Sequence, residues 1–220
     1  MSASATMKTY DELIDLLKAL DNELGSAGLG EDHTIVLDAV GGFSLMYYGM
    51  RGDHALSRDI DIVNKLDRNA YEIAQSIDSS NWLNDDIRNV LPKIMPEIRD
   101  HLEFAEDTRY KFKHIRLRIA TLDTVFRMKL DALLRTARDG HGLLSTQRLQ
   151  DVSDLRSLLG YMNIKTEEGF LKEFPSLTIF VNELFVESDE YMTHTAAEYQ
   201  RDAGARQVNI FEKFDLFDHG

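Results

Sequence analysis

An apolar run that ends in a glycine pair, with two aspartates one residue apart shortly downstream, constrains this chain more than any other feature. Residues 35–40 (Ile-Val-Leu-Asp-Ala-Val) lead into Gly41-Gly42. A helix-compatible piece follows over 43–50, then a polar loop with Gly52, Asp53 and His54, then Arg58-Asp59-Ile60-Asp61-Ile62-Val63. The β-branched apolar residues around Asp59 and Asp61 predict a strand, and on a strand this spacing points both carboxylates to one face. Two anions side by side repel, so they need a cation between them or solvent around them. The glycine pair permits a tight turn and a close approach of backbone to a ligand. Exposed amides at the start of the next helix would favour phosphate. Gly-Gly by itself also fits an ordinary strand-to-helix turn; the downstream Asp-x-Asp is what makes it a candidate site.

The rest of the chain reads as helices around a few strands. Tyr10, Leu13, Ile14, Leu16, Leu17, Leu20 and Leu24 recur at helical spacing and predict an amphipathic helix over 9–25 that covers one face of the sheet. Strands are expected over 34–40, 58–64, 101–106 and 110–120. A helix over 67–79 is capped by Asp67. Trp82 reads as a core anchor at the head of 82–96, a stretch that fits no single element and in which Pro92 and Pro96 bound a short piece. Lys111, Lys113, Arg116 and Arg118 form a basic ladder, either a solvated sheet face or a cationic wall beside a phosphate. Helices follow over 123–137, 146–161, 167–171, 177–188 and 191–201, with a break at Gly204 and a Phe-rich tail over 211–217. Asp151 and Asp154 flank a helix start, where the dipole favours carboxylates.

The order strand, Gly-Gly, short helix, loop, Asp-x-Asp strand resembles the polymerase-β-type nucleotidyltransferase superfamily. Within it the chain is most similar to the bacterial branch of AbiEii-type toxins and related uncharacterised proteins. The stretch Phe126-Arg127-Met128-Lys129-Leu130-Asp131-Ala132-Leu133, with Arg135, Arg138-Asp139, Asp151 and Asp154-Leu155, resembles that branch's lysine-bearing helix and downstream Arg/Asp segment. Trp82-Leu83-Asn84-Asp85 is also similar to relatives of unknown function. The resemblance covers roughly residues 32–159.

This resemblance implies an α+β fold: a nucleotidyltransferase-like mixed β-sheet flanked by helices over 1–120, with a helical region over 121–220 packed on it. It implies transfer of an NMP from an NTP to an unknown acceptor, whether RNA, protein or small molecule. One or two Mg²⁺ ions would assist, since Mg²⁺ takes one or two carboxylates and completes its shell from substrate phosphates. It also implies a toxin role in a toxin–antitoxin or phage-defence pair, with an antitoxin as partner. Asp59, Asp61 and Lys129 would be catalytic, and Gly41, Gly42 and Ser44 nucleotide-binding. Asp59, Asp61 and Glu103 would hold metal, Glu103 standing for the third carboxylate that the superfamily carries on a later strand. Ser44 sits later than the hydroxyl of the common Gly-Ser form, and the loop before Asp59 is longer than usual. The other reading is a catalytically inactive member, retained as a binding or regulatory module.

Charge and composition narrow the classes. The chain of 220 residues carries 25 Lys and Arg against 38 Asp and Glu, a formal charge of −13. That balance argues against non-specific binding to a nucleic-acid backbone, which needs clustered cations. With no cysteine, disulfides and thiolate metal sites are excluded. The seven histidines are scattered without the spacing of a zinc site, and no Ser-His-Asp or P-loop signature is present. The first residues lack an apolar signal core, and no apolar run approaches the roughly 20 residues of a membrane span. A cytoplasmic protein with no membrane partner is the expectation.

Overall fold

Thr9 opens the first helix with a capping box. Its Oγ1 accepts the Glu12 N–H at 3.3 Å, and Glu12 Oε2 accepts the Thr9 N–H at 2.7 Å. Helix α1 (Tyr10–Ser26) then buries Leu13, Ile14, Leu17, Leu20 and Leu24 along one stripe. The computed structural model describes residues 7–27, 34–52, 55–91, 99–138 and 146–173. These comprise strand β1 (Ile35–Val40), helix α2 (Gly41–Tyr47), strand β2 (Ile60–Ile62), helix α3 (Arg68–Ile77) and strand β3 (Leu83–Asn84). A 3-10 turn (Asp86–Asn89), strands β4 (Phe104–Glu106) and β5 (Ile115–Ala120), and helices α4 (Leu122–Arg138), α5 (Thr146–Tyr161) and α6 (Glu167–Glu173) complete the described elements. The chain divides into two compact units, 1–125 and 126–220, and the division falls within α4.

In the first unit the five strands form one open sheet in the order β3-β2-β1-β5-β4. The sheet is mixed: β1 is antiparallel to β2 and parallel to β5, β2 is parallel to β3, and β4 is antiparallel to β5. The architecture is therefore α+β, and the strands expected over 34–40 and 58–64 are neighbours. Alternate residues of the strands enter one core with α1 and α3: Ile35, Leu37 and Ala39 from β1, Ile60 and Ile62 from β2, and Ile115, Leu117 and Ile119 from β5. Trp82 is fully buried there, its indole N–H donating to the Ala74 carbonyl at 3.0 Å. The other parity, Asp38, Asp61, Asn84, Glu106, Arg116 and Arg118, faces away from that core.

Three strands are shorter than the residue pattern suggests: β4 spans 104–106 of the expected 101–106, and at β2 and β5 side chains take over the backbone partners. The Asn64 amide takes over the ladder where β2 ends. Its Oδ1 accepts the Asp38 N–H at 2.7 Å, and its Nδ2 donates to the Val36 carbonyl. Residues 110–114 alternate like a strand, yet β5 begins only at Ile115. Asp107 accepts the N–H groups of Arg109 (2.9 Å) and Tyr110 (3.0 Å). Asp21 of α1 accepts those of Lys113 (3.0 Å) and His114 (2.6 Å). Carboxylates thus take the donors that a neighbouring strand would otherwise satisfy.

The second unit holds its described helices together through Leu130, Val152, Leu155, Leu158, Leu159 and Phe170, all buried. The rings of Phe126 and Phe170 lie 5.7 Å apart. The helices expected over 177–188 and 191–201, the break at Gly204 and the tail over 211–217 lie outside the described residues.

Candidate functional site

The glycine pair is required by what stands over it. Gly41 sits at φ +69°, the left-handed region that side chains disfavour. A Cβ at Gly41 would meet Asp61 Oδ2 at 2.9 Å. A Cβ at Gly42 would meet Arg51 Nη1 at 2.7 Å and Ser57 Oγ at 3.3 Å. The two missing side chains therefore admit a carboxylate and a guanidinium to the same turn between β1 and α2.

The two aspartates share one side, as their spacing predicts. Asp61 lies opposite Val40 of β1 and opposite Asn84 of β3. Asn84 Nδ2 donates to Asp59 Oδ2 at 3.3 Å and to Asp61 Oδ1 at 3.4 Å, so one neutral amide bridges both anions. The Asp86 N–H donates to Asn84 Oδ1 at 2.8 Å, which fixes the amide with its nitrogen toward the carboxylates. Ser57 Oγ donates to the Asp59 carbonyl at 3.1 Å. Ser57 is itself held in a two-way backbone bridge with Lys8, at 2.7 and 2.9 Å. Burial pushes the Asp59 carboxyl above the ordinary range, and Asp86 adds to this; the Asn84 hydrogen bond and Arg58 oppose it. The two half-buried carboxylates are hard oxygen donors that could hold a divalent cation. Mg²⁺ would use Asp59 and Asp61 and fill the remaining positions with phosphate or water oxygens.

Two of the expected site residues are not brought to this turn, and a third, Lys129, belongs to the other unit. Ser44 is fully buried, and its hydroxyl donates to the Ala39 carbonyl at 3.0 Å. The hydroxyl that stands over the glycines is Ser57's. Glu103 is exposed just ahead of β4, so that β5 and β1 lie between it and the acid strand β2. Its backbone, rather than its carboxylate, is engaged, with Thr124 Oγ1 and the Thr121 N–H. Lys129 belongs to the second unit, where its ammonium is buried between Asp151 Oδ1 (2.7 Å) and Asp154 Oδ2 (2.6 Å). The two arginines of the basic ladder are matched by acids on adjacent strands: Arg116 pairs with Glu106, and Arg118 grips Asp38 through two bonds of 2.5 and 2.6 Å.

Asn84, Arg51 and Ser57 are the site residues that sequence reasoning did not single out. Only Asn84 left a signal, in the Trp82-Leu83-Asn84-Asp85 stretch whose similarity to relatives had no role attached. Among the described residues, no three or more His, Asp or Glu side chains converge as a metal cage, and no helix is long and apolar enough to cross a membrane. A surface cleft of about 480 Å³ lined by Met7, Lys8, Glu12, Asp15, Leu16 and Asp78 does not include the acid pair. Comparison with protein-family models, with curated proteins and with solved structures gives no match to this chain.

Proposed function

We propose that this protein is a Mg²⁺-dependent nucleotidyltransferase of polymerase-β type that moves an NMP from an NTP to an acceptor. The observation that carries the reading is the seating of Asp61 over Gly41, with Asp59 bridged to it through Asn84. The reading asks Asp59 and Asp61 to hold the cation and the side-chain-free turn to admit the triphosphate. Asn84 keeps the carboxylates in register when no cation is present. Mg²⁺, when bound, would offset charge on the phosphates and on the attacking and leaving oxygens of an in-line displacement. Such transfer is mostly positioning and charge neutralisation, so the protein needs no nucleophile of its own. The toxin role of the similar bacterial branch, with its antitoxin partner, is carried as part of this proposal.

The test is incubation with each α-labelled NTP and Mg²⁺ in the presence of RNA and protein extracts. Transfer of label by the wild type, lost in Asp59→Asn and Asp61→Asn, is the expected result. Absence of transfer from every NTP, with the acid pair intact and NTP bound, would leave the second reading: a module that binds without turnover. That reading is favoured by the position of Glu103, which stands ahead of β4 with β5 and β1 between it and the acid strand.

A further inference from the structure

We infer that Ser57 is a positioning residue of this site, fixing Asp59 for cation binding from a bridge to the segment ahead of α1; the inference rests on the metal site proposed above. The two aspartates are not held alike. Asp61 lies inside β2, paired with Val40 on one side and Asn84 on the other. Asp59 stands one residue ahead of β2, outside the pairings with both β1 and β3. On the β1 side the chain has already turned into α2 beyond Val40, so the strand ladder does not extend to Asp59. Aspartate is short, so its backbone largely sets where its carboxylate lies. The backbone of Asp59 therefore needs an anchor other than the sheet.

Ser57 supplies it. Its Oγ donates to the Asp59 carbonyl at 3.1 Å. Its own backbone is closed on Lys8 in both directions: the Lys8 N–H donates to the Ser57 carbonyl at 2.7 Å, and the Ser57 N–H to the Lys8 carbonyl at 2.9 Å. Lys8 is fixed in turn. It is buried, with its ammonium on Asp78 Oδ2 at 3.2 Å and donating to Ser80 Oγ at 3.0 Å, and the next residue, Thr9, caps α1. Asp59 is thus tied to a helix start rather than left to the loop between α2 and β2. The same Oγ stands 3.3 Å from the place of a Cβ on Gly42, which keeps the Asp59 backbone beside the glycine turn. Mg²⁺ demands near-ideal geometry from its oxygens. A carboxylate held in place beforehand binds such a cation more tightly than one that must be ordered on binding. Ser57 is half-buried and lies outside the hydrophobic core, so its substitution does not open that core.

The experiment is calorimetric titration of the full chain with Mn²⁺ alone and with Mg²⁺–tripolyphosphate, which needs no knowledge of the base. Wild type, Ser57→Ala, Ser57→Thr, Lys8→Pro, Lys8→Met and Asp61→Asn are compared, each with a thermal melt so that affinity is read per folded molecule. Ser57→Ala should lose roughly 2- to 10-fold in affinity for both probes, the scale of one hydrogen bond. Ser57→Thr keeps the hydroxyl and should recover the loss. Lys8→Pro removes the N–H that holds Ser57. It should weaken Mn²⁺ more than Lys8→Met, which loses the ammonium but keeps the backbone bridge. Equal Mn²⁺ affinity in wild type and Ser57→Ala, with Asp61→Asn losing it, would overturn the positioning role and leave the proposed function standing. Weaker tripolyphosphate with unchanged Mn²⁺ would also overturn it, making Ser57 a ligand of the phosphate instead. Failure of the wild type to bind either probe would overturn both the inference and the proposed function.

Discussion

Asn84 lies directly opposite Asp61 across the parallel pairing of β2 and β3, and its amide nitrogen reaches Asp61 Oδ1 at 3.4 Å. If a cation binds Asp59 and Asp61, as proposed, Asn84 would stand beside it as a neutral group. Asn84→Asp should therefore convert a two-carboxylate site into a three-carboxylate one and tighten Mn²⁺ by about tenfold or more, because charge count sets affinity for hard cations. Without cation the same substitution should cost about 0.5–1 kcal/mol, the penalty for like charges opposed across strands. Mn²⁺ calorimetry together with thermal melts in the presence and absence of Mn²⁺ would read both effects. Unchanged Mn²⁺ affinity would mean that no cation binds within reach of Asn84.

Lys129→Met should act first on stability. The ammonium is shared by two carboxylates that are themselves nearly inaccessible, and its loss leaves them buried together. Breaking such a buried arrangement by removing one partner costs about 3–5 kcal/mol. Helical circular dichroism through a denaturant titration gives the loss, and tripolyphosphate affinity per folded molecule separates stability from the binding role that family resemblance suggests. A stable Lys129→Met protein with weakened tripolyphosphate binding would restore Lys129 to the phosphate.

Ser44→Ala should leave tripolyphosphate binding intact and cost about 1 kcal/mol, the usual net worth of one buried hydrogen bond. Trp82 is the sole tryptophan and is buried in the first unit's core, so its fluorescence reports unfolding of that unit. Weakened binding with unchanged unfolding would bring Ser44 back to the nucleotide.

Asp78 should set part of the acid limb of stability. The Ser80 hydroxyl and backbone N–H, and then Lys8, hold its carboxyl below the ordinary range. A carboxylate depressed in the folded state contributes stability above its unfolded value, and that contribution disappears as pH falls through the folded value. Asp78→Asn should flatten the loss of stability on acidification below the usual carboxylate range. The effect should be about 0.5–1 kcal/mol for a partly exposed pair. Trp82 fluorescence melts across that range would measure it; identical acid limbs in the two proteins would rule Asp78 out as the group.

Much of the frame is legible in the residues because its signals are local. The stripe of Leu13, Leu17, Leu20 and Leu24, the Asp67 cap and the Asp59–Asp61 spacing each lie within a few turns or one strand, and each appears in the structure as the pattern predicts. What escaped is carried by distant partners. The late start of β5 depends on Asp21, 92 residues before Lys113. Asn84 reaches Asp59 across 25 residues, and no periodicity marks it. Arg51 and Ser57 gain meaning only from the space above Gly42, which no pairwise spacing in the sequence encodes.

The central strand also dictates an order of assembly. Asp38 of β1 meets Asn64 at a separation of 26 residues, but meets Arg118 of β5 at a separation of 80. Closing a flexible loop of the longer span costs about 1 kcal/mol more chain entropy than closing the shorter one. The β1–α2–β2 segment, with its glycine turn and acid pair, can therefore form from near neighbours while the β1–β5 half of the sheet is still open. Folding should be gated by that distant parallel pairing, because its loop must close before the pairing can offset the entropy lost. Substitutions in β5 should then slow folding, whereas those at the glycine turn should mainly speed unfolding.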